Sequence, residues 1–133
     1  KGGHSVINEV LEYAEEPKEK GLVIMDTPGN DMSSIAGMVA GGAQIVVFTS
    51  GRGAATGHPI TPIIKITGNR DTYARMEDNM DIDASGIIFE PGSLPNLGDI
   101  LMNEVFDVAE GKMTKAEILN FMETSVVRLC NFV

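Results

Sequence analysis

The chain has 133 residues and a mass of 14.2 kDa, enough for one domain that buries roughly two thirds of its unfolded surface. Its 43% hydrophobic and 22% charged residues argue against disorder and against a fibrous chain. Acidic residues outnumber basic ones 19 to 10, and a formal charge of −9 argues against a general basic surface for nucleic acid or anionic membrane.

The single cysteine, Cys130, excludes an intrachain disulfide and a multi-thiolate metal site. It fits a reducing compartment. Glycine or charge breaks each long apolar run before the ~20 residues that a spanning helix needs. Lys1 is not an initiator methionine, which carries the expectation that the chain is a piece of a longer protein.

In chain order, Ser5 is placed to cap a helix with Val6, Ile7, Val10, Leu11 and Ala14 at helical spacing. Leu22 to Met25 is short, apolar and non-alternating, as expected for a strand covered on both faces. After a loop at 26–31, Asp31 is expected to cap a helix over 33–42, thinned by Gly37, Gly41 and Gly42. Ile45 to Phe48 and Ile63 to Ile66 read as further buried strands. Strands 22–25, 45–48 and 63–66 are expected in one largely parallel sheet, with the helix crossing between the first two.

Further on, Thr72 is expected to start a helix, while 80–84 is ambiguous between helix end and turn. Ile87 to Phe89 reads as a short fourth strand, and Asp99 as the cap of a helix with Leu101, Val105 and Val108 inward. Thr114 and Glu117 have capping-box spacing and open a last helix with Ile118, Leu119, Met122 and Val126. The reading is a single α/β domain over 1–133, helix/sheet/helix in three layers with a largely parallel sheet, Rossmann-like in outline.

Two polar loops follow strand ends, where open α/β sheets bind ligands. In the first, Asp26 and Asp31 flank Thr27, Pro28 and Gly29. A carboxylate there can cap or shape a turn, orient a hydroxyl, ligate a hard metal or move a proton, and the residues alone do not choose. In the second, Thr49-Ser50-Gly51-Arg52-Gly53 combines hydroxyls, backbone N–H groups and a guanidinium suited to a carboxylate or phosphate. An ordinary turn with a solvated arginine is the plainer alternative. The loop is neither a Walker A sequence nor a dinucleotide fingerprint, since Thr56 stands where the third glycine would be.

His58 lies on the same loop, and Lys65 interrupts an apolar strand. Such a lysine either faces solvent at a sheet edge or supplies positive charge to a site. The acidic residues Glu77, Asp78, Asp81 and Asp83 read as a solvated face.

Taken together, Met25 to Gly29, Asp31, Ser34, Gly37, 40–43, Phe48 to Gly53 and Pro62 to Lys65 with Asn69 form an ordered set. The set resembles the carboxyl-terminal part of the altronate dehydratase and galactarate dehydratase family of sugar-acid hydro-lyases. The likeness covers roughly residues 20 to 118. Met32 departs from it, where the family has proline, and Ser50 replaces a common threonine while keeping the hydroxyl.

The resemblance implies elimination of water from a sugar acid to give a 2-keto-3-deoxy acid in the cytoplasm. It implies a divalent metal, commonly Fe2+ with Mn2+ as the alternative, whose ligands are unknown here and are expected in the missing portion. Asp26, Asp31, His58 and Lys65 are the catalytic candidates. Thr27, Gly29, Ser34, Thr49, Ser50, Gly51, Arg52, Gly53 and Asn69 are the substrate-binding candidates. The expected partners are the small-molecule sugar acid and the remaining domains of the parent enzyme, with a homo-oligomer left open. No nucleic acid or membrane partner is expected. A lyase for another 2-hydroxy acid such as sulfolactate, and a non-catalytic ligand-binding or assembly module, are the alternatives.

Overall fold

The computed structural model describes residues 3–90 and 93–125, and contacts divide the chain into two units. Of the described residues, 3–44 with 124–125 form the first unit, and 45–90 with 93–123 the second.

In the first unit, β1 (Ile7–Leu11) and β2 (Leu22–Met25) pair in parallel, and α1 (Asp31–Ala40) follows. The segment expected to be the first helix is therefore β1. Val6, Ile7 and Val10 fall at helical spacing, but β-branching favours the pleated, half-buried surface that β2 offers. The Glu9 carboxylate gathers the connecting loop by accepting from the amides of Lys18 (2.9 Å) and Glu19 (3.1 Å). Contrary to expectation, β2 is not covered on both faces. Leu22 and Ile24 share an exposed face with their register partners Ile7 and Val10, of which Val10 is 70% exposed.

Asn30, not Asp31, caps α1, and its side chain accepts from the Ser33 amide at 3.3 Å. Gly37 is buried because the Tyr13 ring occupies the place of a side chain there. The Tyr13 hydroxyl fixes that ring by donating to the Ser33 carbonyl at 2.8 Å.

The second unit holds a parallel sheet in the order β3 (Val46–Thr49), β4 (Ile63–Thr67), β5 (Ile82–Asp83). Among the described residues β2 pairs with β1 and β3 with β4, so the expected single sheet is instead two. The α/β class and the parallel pairing with flanking helices hold. Every residue of the central strand β4 is buried.

Four helices complete this unit: α2 (Arg70–Arg75), α3 (Gly86–Phe89), α4 (Ser93–Ala109) and α5 (Lys115–Ile118). The expected cap at Thr72 is supplied earlier by Asn69, whose Oδ1 accepts from the Thr72 amide at 3.0 Å. The expected fourth strand is α3, and the ambiguous segment before it supplies β5. Asp83 ends β5 after two residues by accepting from the Ser85 amide at 2.8 Å, which turns the chain out of the sheet.

Asp99 lies inside α4 rather than capping it. Pro95 is tolerated because an N–H in the first turn has no helical partner anyway. Leu97, Leu101, Val105 and Val108 form the inward stripe of α4, over Ile64 and Ile66 of β4 and Ile82 of β5. The capping box at Thr114 and Glu117 is present, but α5 ends at Ile118, Met122 is exposed, and Val126 lies outside the described residues. Among the described residues no helix is long and apolar enough to cross a membrane.

The Tyr13 contact makes Gly37→Ala informative. Overpacking should cost on the order of 1–3 kcal/mol, against about 1 kcal/mol regained by removing a helical glycine. Urea unfolding should therefore show a net loss, and in a Tyr13→Ala background the same substitution should become neutral or stabilising.

Candidate functional site

The carboxyl ends of β3, β4 and β5 release the segments at 50–53, 68–70 and 84–86 along one edge of the three-stranded sheet. The Ser50 amide continues the ladder by donating to the Ile66 carbonyl at 2.9 Å. Thr72 then anchors the loop, its hydroxyl donating to the Gly51 carbonyl at 3.2 Å. Gly53, at φ 80°, approaches α2 so closely that a side chain would run into Met76 and Thr72.

Two cavities open at this edge. One, of about 550 Å³, is bordered by Thr49, Ser50, Gly51 and Gly68, with Ile87, Ile88 and the Leu94–Leu101 stretch of α4 forming its apolar wall. The other, of about 520 Å³, is bordered by Gly51, Gly68, Asn69, Arg70, Asp71 and the Ile88–Phe89 pair. Both have the size of small-molecule sites, with a few polar groups against apolar walls. Arg52 follows Gly51 and is exposed, outside the lining of either cavity.

Lys65 lies on the face of β4 opposite Ile64 and Ile66, fully buried at 0% exposure. Its ammonium finds no hydrogen-bond partner among the described residues and sits 5.8 Å from the centroid of the Phe121 ring. Burial pushes its pKa down, while Asp81 draws it up and Lys115 lowers it further, both more weakly. The solvent-facing alternative for this lysine is therefore wrong, because β4 is the central strand.

Asp81 secures the backbone at this point. Its carboxylate accepts from the amides of Lys65 (2.7 Å) and Lys115 (2.9 Å), and its own amide donates to the Lys65 carbonyl (2.9 Å). The Lys115 ammonium donates to the Met80 carbonyl (2.7 Å) and to that of Glu77. Asp81 is thus a structural clamp, not a member of a solvated acidic face. His58 is half-buried, which lowers its pKa and favours the neutral imidazole, and its Nδ1 is 3.5 Å from the Ile60 amide.

The first unit holds the other candidates. Ser34 donates to the Thr27 hydroxyl at 3.0 Å, so these two are paired with each other. The Asp26 amide extends the β1–β2 ladder by donating to the Leu11 carbonyl at 2.9 Å, and its side chain is exposed. Asp31 is exposed in the first turn of α1, and Gly29 is exposed with open space around it.

Thus Thr49, Ser50, Gly51 and Asn69 share one sheet edge, Thr27 pairs with Ser34, and Lys65 is buried in the sheet. Sequence context gives Arg70 no role, and for Asp81, Lys115 and Phe121 it does not show the contacts they make. Only the position of Arg70, directly after a helix-capping asparagine, is a local signal. Among the described residues no three His, Cys, Asp or Glu side chains converge. The metal implied by the resemblance therefore lacks a complete ligand set in these residues.

A helix-flanked parallel sheet with ligand-sized cavities at its carboxyl edge defines the general class of α/β ligand-binding and enzyme domains. Sequence comparison resolves it: the family described as D-galactarate/altronate dehydratase, C-terminal, matches residues 1–131, and the chain belongs to that family. It is 31% identical over 128 residues to altronate dehydratase of Escherichia coli strain K12, covering 96% of this chain and 26% of that protein. Identity is 36% over 112 residues to the L-threo-forming galactarate dehydratase of the same organism, covering 84% of this chain and 21% of the relative. It is 32% over 123 residues to the (2R)-sulfolactate sulfo-lyase subunit beta of Chromohalobacter salexigens, covering 92% and 32% respectively. The chain therefore spans between a fifth and a third of these relatives.

The Lys65 amine makes a pH-dependent prediction. With its folded pKa depressed, the unfolded chain holds more protons between the two pKa values, so the penalty is largest at low pH and fades as pH rises toward the ordinary lysine value. Lys65→Met should raise stability at pH 7 by on the order of 1–3 kcal/mol by removing an unsatisfied buried donor. The gain should shrink in alkaline solution, as urea titrations at pH 7 and pH 10 would show.

Proposed function

We propose that this chain is the carboxyl-terminal portion of a hydro-lyase that removes water from a sugar acid of the altronate or galactarate type, giving a 2-keto-3-deoxy acid. The family match over nearly the whole chain carries this reading. Under it the enzyme acts in the cytoplasm, with the remaining domains of the parent protein completing the site.

The reaction requires a base to take the proton alpha to the carboxylate and an acid to protonate the departing hydroxide. The enol left behind then becomes the ketone. Stabilising the developing enediolate is the main demand on the site. A neutral Lys65 amine and a neutral His58 imidazole are each suited to accept a proton, and burial favours both forms. Asp26 and Asp31 are the carboxylate candidates for proton transfer. Arg52, with Ser50 and the adjoining backbone, binds an acidic group of the substrate. Thr49, Gly51, Gly53 and Asn69 in the second unit, and Thr27, Gly29 and Ser34 in the first, are the substrate-binding candidates of this reading. A divalent metal, iron or manganese, belongs to this reading through the family, with ligands supplied outside the described residues.

A lyase for another 2-hydroxy acid, sulfolactate, is the second reading, favoured by the likeness to the sulfo-lyase subunit. The test is to express the full open reading frame and follow 2-keto acid formation from altronate, galactarate and sulfolactate. Sugar-acid turnover by the whole protein, with little or none from the 133-residue chain alone, is expected. Failure of the whole protein on both sugar acids would overturn the first reading, and robust turnover by the isolated chain would overturn the shared site. Arg52→Lys should not restore normal kcat/KM, since losing a charge-assisted two-pronged contact costs on the order of 1.5–3 kcal/mol. Lys65→Met should pair lost turnover with higher stability.

A further inference from the structure

Lys65 is fully buried and borders neither of the cavities at the carboxyl edge. As a proton acceptor it must nevertheless meet a substrate, so whatever covers it has to give way. The centroid of the Phe121 ring lies 5.8 Å from the amine, which finds no hydrogen-bond partner among the described residues. A ring face draws an ammonium only weakly and has no lone pair, so it replaces none of the hydrogen bonds that water would supply.

Phe121 is held there from two sides. On one side is α5, fixed at its start by the Thr114–Glu117 capping box and by the bond from the Lys115 amide to Asp81. At the far end of α5, Asn120 takes the left-handed conformation, φ 57°. The amides of Asn120 and Phe121 donate back to the carbonyls of Glu117 (2.9 Å) and Ala116 (3.0 Å), which reverses the chain. On the other side is Gly57, which is buried and leaves room for the Phe121 backbone. A methyl group at Gly57 would run into the Phe121 carbonyl and Cβ. His58 is the next residue, so Phe121 adjoins the Lys65 amine through its ring and the His58 loop through its backbone. Residues 119–125 contain no helix or strand, so this cover rests on one turn rather than on a ladder of hydrogen bonds.

We propose that Phe121 is a positioning residue for Lys65, a hinged cover set on Asn120 and seated on Gly57, which keeps water from the amine when closed and swings away to admit the substrate. This deepens the hydro-lyase reading and rests on it for the meeting of Lys65 with a substrate. Two charged groups bear on the amine: Asp81, just before β5, favours the ammonium, and Lys115 of α5 opposes it, both more weakly than burial. His58, on the Gly57 loop, is itself held toward the neutral imidazole by burial. Removing the ring hydrates the amine and returns it toward the behaviour of an ordinary lysine.

The experiment is trace acetylation of the full-length protein with acetic anhydride from pH 7 to pH 10, with Lys65 and the exposed Lys20 followed by peptide mass spectrometry. Wild type is compared with Phe121→Ala, Phe121→Leu and Gly57→Ala, with circular dichroism on each. In wild type, Lys65 should react on the order of 100-fold more slowly than Lys20, because the reagent waits on a local opening, and its rate should level off at lower pH. Phe121→Ala should raise the Lys65 rate by about tenfold or more and bring its pH dependence toward that of Lys20. Gly57→Ala keeps the ring but unseats it, and should act in the same direction; Phe121→Leu should lie between wild type and Phe121→Ala. In turnover, the acidic limb of the kcat/KM profile should move to higher pH in Phe121→Ala. Galactarate or altronate should slow acetylation of Lys65 in that variant and leave Lys20 unchanged. A wild-type Lys65 as reactive as Lys20, a Lys65 rate unchanged in the folded variants, or a gain only where the fold is lost overturns the proposal. Faster acetylation that neither sugar acid slows overturns the admission of substrate. If the whole protein turns over no sugar acid, the hydro-lyase reading falls separately, while faster acetylation in Phe121→Ala and Gly57→Ala still supports Phe121 as the cover.

Discussion

A single carboxylate, that of Asp81, fixes the centre of the second unit. It accepts from one amide in β4 and one in α5, and its own amide returns a bond to β4. One of these donors belongs to the buried central strand and the other to the first turn of α5, and an orphaned buried N–H would cost on the order of 1–3 kcal/mol. Lys115 closes the same knot from the other side through the carbonyls of residues 77 and 80. The short helices of this unit have few turns of their own to rely on. Such constraints, rather than helix propensity, hold them in place.

The clamp also explains how the sheet tolerates a lysine at its centre. Apolar packing from α4 covers one face of β4. On the other, Lys65 lies under Phe121 with its backbone secured and its amine unsatisfied. Ordinary core design would put an isoleucine or methionine there. Under the proposed hydro-lyase reading, that cost is local stability given up for a proton acceptor.

The sequence shows some of these features more clearly than others. The segments that became β2, β3 and β4 are short apolar runs bounded by glycine or polar loops, and such boundaries are local. The strand β1 was hidden because Val6, Ile7, Val10 and Leu11 satisfy a helical period as well as a strand. The partner that decided between them, β2, lies beyond a ten-residue loop. Asp83 turned three apolar residues into helix by a side-chain bond that apolar patterning does not register. At the site, Thr49 to Gly51 and Asn69 stand at strand ends and can be found by position alone. The burial of Lys65 depends on Phe121, fifty-six residues away, and the bonding of Asp81 depends on two separate elements. Neither has a local signature.

The exposed apolar face of β1 and β2 has a colloidal consequence. Ile7, Val10, Leu22 and Ile24 present adjoining hydrocarbon to water, a surface that favours attachment to any similar one. Mutual repulsion from a net charge of −9 opposes that attachment when the chain is handled by itself. The two effects respond differently to electrolyte, since added salt shortens the reach of the charge to about 10 Å at 0.1 M and about 3 Å at 1 M while leaving the hydrocarbon attraction in place. The isolated chain should therefore stay dispersed in dilute buffer and self-associate as ionic strength rises, the reverse of a protein held together by ion pairs.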